Sequence, residues 1–213
     1  MIYVVIAEPN KSERDCRITR QPHYILPEKI KVYIEKAKNE EVKRERTLAY
    51  TTLLCSLEKL FSVKETRIEK NQNGKPYLED SDIYISISHC DGFAVLALSD
   101  EGEIGVDIQS PVDEKTSLRL ECRFLSDIQV KNQKTSIKYL SACFTEEGVI
   151  FNEISPEPDG NTDFLSKWVY SESVMKCFGD GFSGISKIAE ISDRTETEIV
   201  CYNEFKIATT VAK

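Results

Sequence analysis

Residues 83–109 read IYISISHCDGFAVLALSDEGEIGVDIQ, and this stretch sets the architecture. Ile83, Ile85 and Ile87 alternate with Tyr84, Ser86 and Ser88, the period of two that marks a half-buried strand. The turn residues Asp91 and Gly92 precede a second apolar run, FAVLALS, and DEGE (100–103) precedes a third, IGVDIQ. Three consecutive strands joined by tight turns predict an antiparallel meander. The third strand carries a lone acid, Asp107, in an apolar run, and a buried carboxylate needs a partner or a task. Two residues on, on the same strand face, stands Gln109 rather than a second acid.

Outward from this stretch, residues 2–7 predict a first strand, and PEKIKVYIEKAK (27–38) followed by EEVKRERTLAYTTLLCSLEKLF (40–61) predicts two helices. NQNGKPYL (71–78) is a turn leading to a short extended piece. Beyond Pro111 the pattern predicts helices over 112–125 and 130–144, and a loop over 155–163. A last helix follows from Phe164, stopped by Gly179, and the tail (198–213) predicts one or two strands. The order strand, helices, strands occurs twice. The expected fold class is α+β, with two pseudo-equivalent halves, 1–102 and 103–213, each a small antiparallel sheet packed with helices.

The 213 residues are 40% hydrophobic and 30% charged, the balance of a globular chain, with no apolar run long enough to span a bilayer. The net charge of −8 argues against broad nucleic-acid binding. Lys29, Lys31, Lys36, Lys38, Lys43, Arg44 and Arg46 crowd one stretch, but glutamates interleave them as on a solvated helix face. The seven cysteines form no C-x-x-C pair, and the start MIYVVIAEPN lacks a basic leader, so the expectation is a cytoplasmic protein with reduced thiols. With only His23 and His89 present, a histidine-rich zinc or iron site is not expected, and any metal would be a hard cation such as Mg²⁺ held by carboxylates.

Taken singly, the chemical motifs are modest. Trp168, Glu172 and Lys176 share one helix face at i, i+4 and i+8, a spacing that a surface Glu–Lys pair beside a core Trp also satisfies. His89 at a strand end and the turn NGKPYL have equally plain structural readings.

In combination and in order they are specific. G-K-P (74–76), I-S-H (87–89), G-V-D-I (105–108) and W-x-x-x-E-x-x-x-K (168–176) resemble the surfactin-type 4′-phosphopantetheinyl transferases. The likeness runs from the RTLAYTTLLCSL helix to the FGDG cap, and CFTEE (143–147) looks like a further family segment, F-[ST]-x-x-E. Residues 112–140 then stand as an insertion. The resemblance implies transfer of phosphopantetheine from coenzyme A to a serine of an apo acyl or peptidyl carrier protein, with Mg²⁺ as cofactor. By the same resemblance Asp107 is a metal ligand, Glu172 a metal ligand and general base, and Lys176 the lysine that holds the pyrophosphate. Ser88 and His89 match the pair that touches the phosphates of coenzyme A; Lys75 matches a contact of the adenine and 3′-phosphate, and Arg46 another of the 3′-phosphate.

Two positions depart from the family pattern. Gln109 stands where many members have a second metal-binding acid, its amide oxygen still able to ligate Mg²⁺, and Ser171 stands where the family has a lysine before the glutamate. They motivate an alternative, a non-catalytic coenzyme A- or carrier-binding protein on the same fold. A metal-dependent nuclease using Asp107, Glu172 and Lys176 is disfavoured by the acidic charge. Coenzyme A is expected in a cleft between the halves, with no nucleic-acid or membrane partner, and a monomer is the simplest state.

Overall fold

The computed structural model describes residues 1–9, 26–145, 148–179 and 186–213. The architecture is mixed α+β. A five-stranded sheet has the order β4-β5-β1-β7-β8, built from Tyr84–Cys90, Phe93–Ser99, Ile2–Ala7, Ile137–Thr145 and Gly148–Ile154. A four-stranded sheet has the order β6-β11-β10-β9, from Ile104–Gln109, Phe205–Ala212, Thr195–Tyr202 and Glu157–Pro158. A small hairpin pairs β2 (Ile68–Lys70) with β3 (Pro76–Leu78).

Alternation along β1 explains how the two sheets stack. Val5 and Ala7 enter a core shared with α1 (Glu28–Glu35) and α2 (Glu40–Phe61), including Ile30, Leu48, Leu53 and Leu57. Ile2, Val4 and Ile6 enter a second core with Ile104, Val106 and Ile108 of β6 and with Phe205 and Ile207 of β11. Beyond the second sheet, Val169, Val174 and Met175 of α4 (Phe164–Phe178) pack with Ile199 and Ala208. Each of β1 and β6 is thereby apolar on the face that meets the other, which orders the layers as helices, sheet, sheet, helix.

The meander forms only in part. β4 and β5 pair as the expected hairpin, and its turn residues Asp91 and Gly92 take φ of 49° and 84°. β6 does not extend it, because β5's other edge is taken by β1 in the register Ile2↔Ser99 to Ala7↔Ala94. β6 pairs with β11 instead. It stays beside β4 through side chains: Val106 N–H donates to Ser86 Oγ at 3.0 Å, and Ile108 N–H to Ser88 Oγ at 3.4 Å.

The helix expected over 130–144 is also corrected. Residues 137–145 are β7, parallel to β1 and antiparallel to β8, so the first sheet draws strands from beyond residue 103. Tyr139 faces one core and Leu140 and Ala142 the other. A strand buried on both faces loses the clean period of two, which is why its pattern resembles a helix. Within 112–125 the expected helix is present, as α3 (Glu114–Leu120) continued by one π turn, Glu121–Leu125. The CFTEE segment lies at the end of β7, far along the chain from α4, and its Glu146 and Glu147 fall outside the described residues. Gly179 caps α4 at φ 70°, as its position predicts.

Candidate active site

The site is assembled by three elements whose approach is set by Gly105. Gly105 lies on β6 where α4 crosses, and a Cβ there would sit 2.0 Å from the Ser173 carbonyl oxygen and 2.4 Å from the Cys177 nitrogen. Only a residue without a side chain lets the helix backbone lie this close to the strand. Asp107, two residues on, shares that face, opposite Val106 and Ile108 in the core between the sheets. Its carboxylate therefore points toward α4, where Trp168, Glu172 and Lys176 form one stripe.

The partner of the awkward acid is now identified. Asp107 is 5% exposed, and its Oδ1 accepts from Lys176 Nζ at 2.5 Å and from Ser88 Oγ at 2.8 Å. Lys176 Nζ also donates to Ser88 Oγ at 2.9 Å, closing a triangle between β4, β6 and α4. A cavity of about 350 Å³ opens on it, lined by Ser88, His89, Asp107, Gln109, Glu172 and Lys176, with Trp168 on its wall. Six of the eight residues to which the sequence resemblance gives a metal, substrate or catalytic role thus line one cavity. In this cavity Glu172 accepts no hydrogen bond from any described residue. Burial, and then the negative charge of Asp107, push its carboxyl above the ordinary carboxylate range, against the pull of Lys176.

Arg46 and Lys75 do not line this cavity. Arg46 donates to the Tyr33 carbonyl at 3.2 Å and lies 4.3 Å from the centre of the Tyr33 ring, whose face also holds Lys70 Nζ at 3.1 Å. Burial and the neighbouring Arg46 charge pull Lys70 down to about 8. Lys75 lines a second cavity of about 350 Å³ with Asn71, Tyr77, Tyr84, Glu103 and Phe178. There it pairs with Glu103 and donates to the Cys177 carbonyl at 2.5 Å. Ser171, where the family pattern has a lysine, is 1% exposed and donates to the Lys167 carbonyl at 2.7 Å.

His89 has a buried partner that none of the sequence motifs includes. Glu45 of α2, 6% exposed, places Oε2 at 2.7 Å from His89 Nδ1, and its Oε1 accepts from Gly92 N–H at 2.7 Å. Its signal is a charged residue in helical register with the buried Leu48, Ala49 and Thr52 of α2, masked by the Lys- and Glu-rich stretch around it.

A magnesium ion is compatible with this donor set. Among the described residues no group of three or more His, Cys, Asp and Glu side chains is placed to hold a metal. Mg²⁺, however, commonly takes one or two carboxylates and completes its octahedron with water and substrate oxygens. Asp107 and Glu172 supply two carboxylates close enough for one to perturb the other, and Gln109 supplies an amide oxygen on the same wall.

No family model matches the chain. It is 28% identical over 137 residues to the 4′-phosphopantetheinyl transferase gsp of Aneurinibacillus migulanus, a match covering 64% of this chain and 48% of that protein. The chain thus spans about half the length of that relative. That protein's name is the one that the ordered motifs of this chain resemble. No described helix is long and apolar enough to cross a membrane.

Proposed function

We propose that the chain transfers the 4′-phosphopantetheine group of coenzyme A to a serine of an apo acyl or peptidyl carrier protein. The observation that carries this reading is the convergence of Asp107, Lys176 and Ser88 in one hydrogen-bonded triangle, with Glu172 and His89 around the same cavity. A pyrophosphate substrate needs cations and donors facing it, and Lys176, His89 and Ser88 are such groups. The serine oxygen bonds to the pantetheine-bearing phosphorus, the bridging P–O bond breaks, and 3′,5′-ADP leaves.

Glu172 is the group suited to take the serine proton. A carboxylate that accepts no hydrogen bond from the described residues, and whose pKa is raised by burial, is a stronger base than an exposed one. Lys176 serves as the pyrophosphate cation, reached by exchange of its contact with Asp107 for one with substrate oxygens. Asp107, Glu172 and Gln109 would hold Mg²⁺, which when bound neutralises charge developing on the phosphate oxygens. Lys75 and Arg46, each outside this cavity, would serve the adenosine end of the substrate.

Purified protein incubated with coenzyme A, Mg²⁺ and several apo carrier proteins should yield carriers heavier by one phosphopantetheine on intact-mass analysis. Absence of that product on every carrier defeats the proposal. Gln109 and the buried Ser171 favour one second reading, a coenzyme A- or carrier-binding protein without turnover. Calorimetry separates the two, because that version binds coenzyme A with equal affinity whether Mg²⁺ is present or chelated. The expected setting is a monomer in the cytoplasm.

A further inference from the structure

We infer that Glu45 is a positioning residue that fixes which nitrogen of His89 faces the cavity. The consequence for phosphate binding rests on the phosphopantetheinyl transfer reading; the placement of the proton does not. Gly92 N–H is a donor held in place by the β4–β5 turn, and it takes Glu45 Oε1 at 2.7 Å. That leaves Oε2, 2.7 Å from His89 Nδ1, and a carboxylate oxygen only accepts, so the ring must present Nδ1–H to it. Nε2 is then the corner left for a ligand in the cavity that His89 lines. A proton added at Nε2 leaves the Glu45 contact intact, so the ring can meet a phosphate as an imidazolium backed by a carboxylate. Such a charge-assisted bond is roughly twice as strong as a neutral one.

The geometry makes Glu45→Gln diagnostic. Gly92 N–H still requires the side-chain oxygen, which turns the new NH₂ group toward Nδ1. Nδ1 must then accept, so the proton moves to Nε2. Protonation of both nitrogens would set one donor against another, so the ring is held neutral. Shape, volume and both hydrogen bonds are otherwise kept, which isolates the placement of the proton from packing.

The chain has two histidines, His23 and His89, so ¹⁵N-histidine labelling gives two rings to read, with His23→Gln assigning them. The expected result is Nδ1–H on His89 in the parent and Nε2–H in Glu45→Gln, both with unchanged amide spectra elsewhere. Calorimetry should then show coenzyme A bound about tenfold more weakly by Glu45→Gln, the loss expected when a charge-assisted bond becomes a neutral one. An unchanged ring pattern overturns the inference, whereas a moved proton with unchanged affinity upholds the placement and overturns its consequence for phosphate binding. If the parent itself fails to bind coenzyme A, the transfer reading falls, while the ring pattern still decides what Glu45 does.

Discussion

Lys176 and Asp107 lie 2.5 Å apart, Nζ to Oδ1, with the acid almost fully buried and the lysine about one-third exposed. This pair answers how a carboxylate survives in the apolar strand IGVDIQ. Removing one member leaves the other as an uncompensated buried charge, a far larger cost than the pair's net worth. Lys176→Met should therefore destabilise the protein by about 2 kcal/mol at pH 7, a buried-pair penalty discounted for the exposure of the lysine. Adding Asp107→Asn should recover most of that loss, because the stranded charge is gone. Urea unfolding of the two single variants and the double variant closes the cycle. Additive losses would show that the two side chains are not coupled.

Glu172 carries a cost of the opposite kind. Its pKa is raised in the folded state, so the native protein binds its proton more tightly than the unfolded chain does. Stability from this residue is fully present below the unfolded value, near 4.5, and is lost as pH rises through the folded value. Glu172→Gln should accordingly raise the thermal midpoint at pH 7, with the gain vanishing as pH falls below about 4.5. The same variant should lower phosphopantetheinyl transfer by about 10²–10⁴-fold, the range for loss of a general base. A midpoint that does not rise at pH 7 would mean that Glu172 is not strained by its surroundings.

Gly105 is the structural condition for bringing these two acids together. Its missing Cβ is replaced by the Ser173 carbonyl oxygen, at 2.0 Å from where that carbon would stand. The obstruction is backbone, not a side chain that can swing away, so Gly105→Ala must push α4 off β6. The expected cost is on the order of 3 kcal/mol, the upper range for overpacking a filled core. The displacement also separates Lys176 and Glu172 from Asp107, so transfer should fall even at temperatures where the variant remains folded. Chemical denaturation and an activity assay at low temperature together test this; full activity with reduced stability would place the site's geometry elsewhere.

Particular residues show what could be read from sequence and what could not. The triad Trp168, Glu172 and Lys176 was legible because a helix repeats its faces every three to four residues, and the Gly179 cap marked where it stops. The β4–β5 hairpin was legible from period and turn alone. The departure of β6 was not, because β5's second edge is claimed by β1, more than eighty residues away in sequence at Ile2↔Ser99. Local pattern carries no information about such a competitor. Likewise β7 is apolar on both faces because it lies between two cores, and this erases the alternation that identifies strands. Glu45 escaped because its two partners, His89 and Gly92, lie on a different element.

Gln109 is where the proposed metal chemistry can be tested without turnover. It lies at the end of β6, paired in register with Lys206, and lines the cavity with Asp107 and Glu172. Lys206 does not compete for it, since that ammonium is engaged by Asp159, Asp163 and Ser166. Gln109→Glu would add a third negative charge to a wall where Asp107 already raises Glu172. Without a cation those charges repel, so the variant should melt below the parent in chelator. With Mg²⁺ the same charges become ligands, and binding should tighten about tenfold, a modest share of the Coulomb attraction at a half-buried position such as Gln109. The expected signature is a crossing: less stable than the parent in chelator, and a larger rise in melting midpoint on adding Mg²⁺. If Mg²⁺ shifts the two proteins equally, Gln109 does not touch the metal, and the charge of the ion must be met by Asp107 and Glu172 alone.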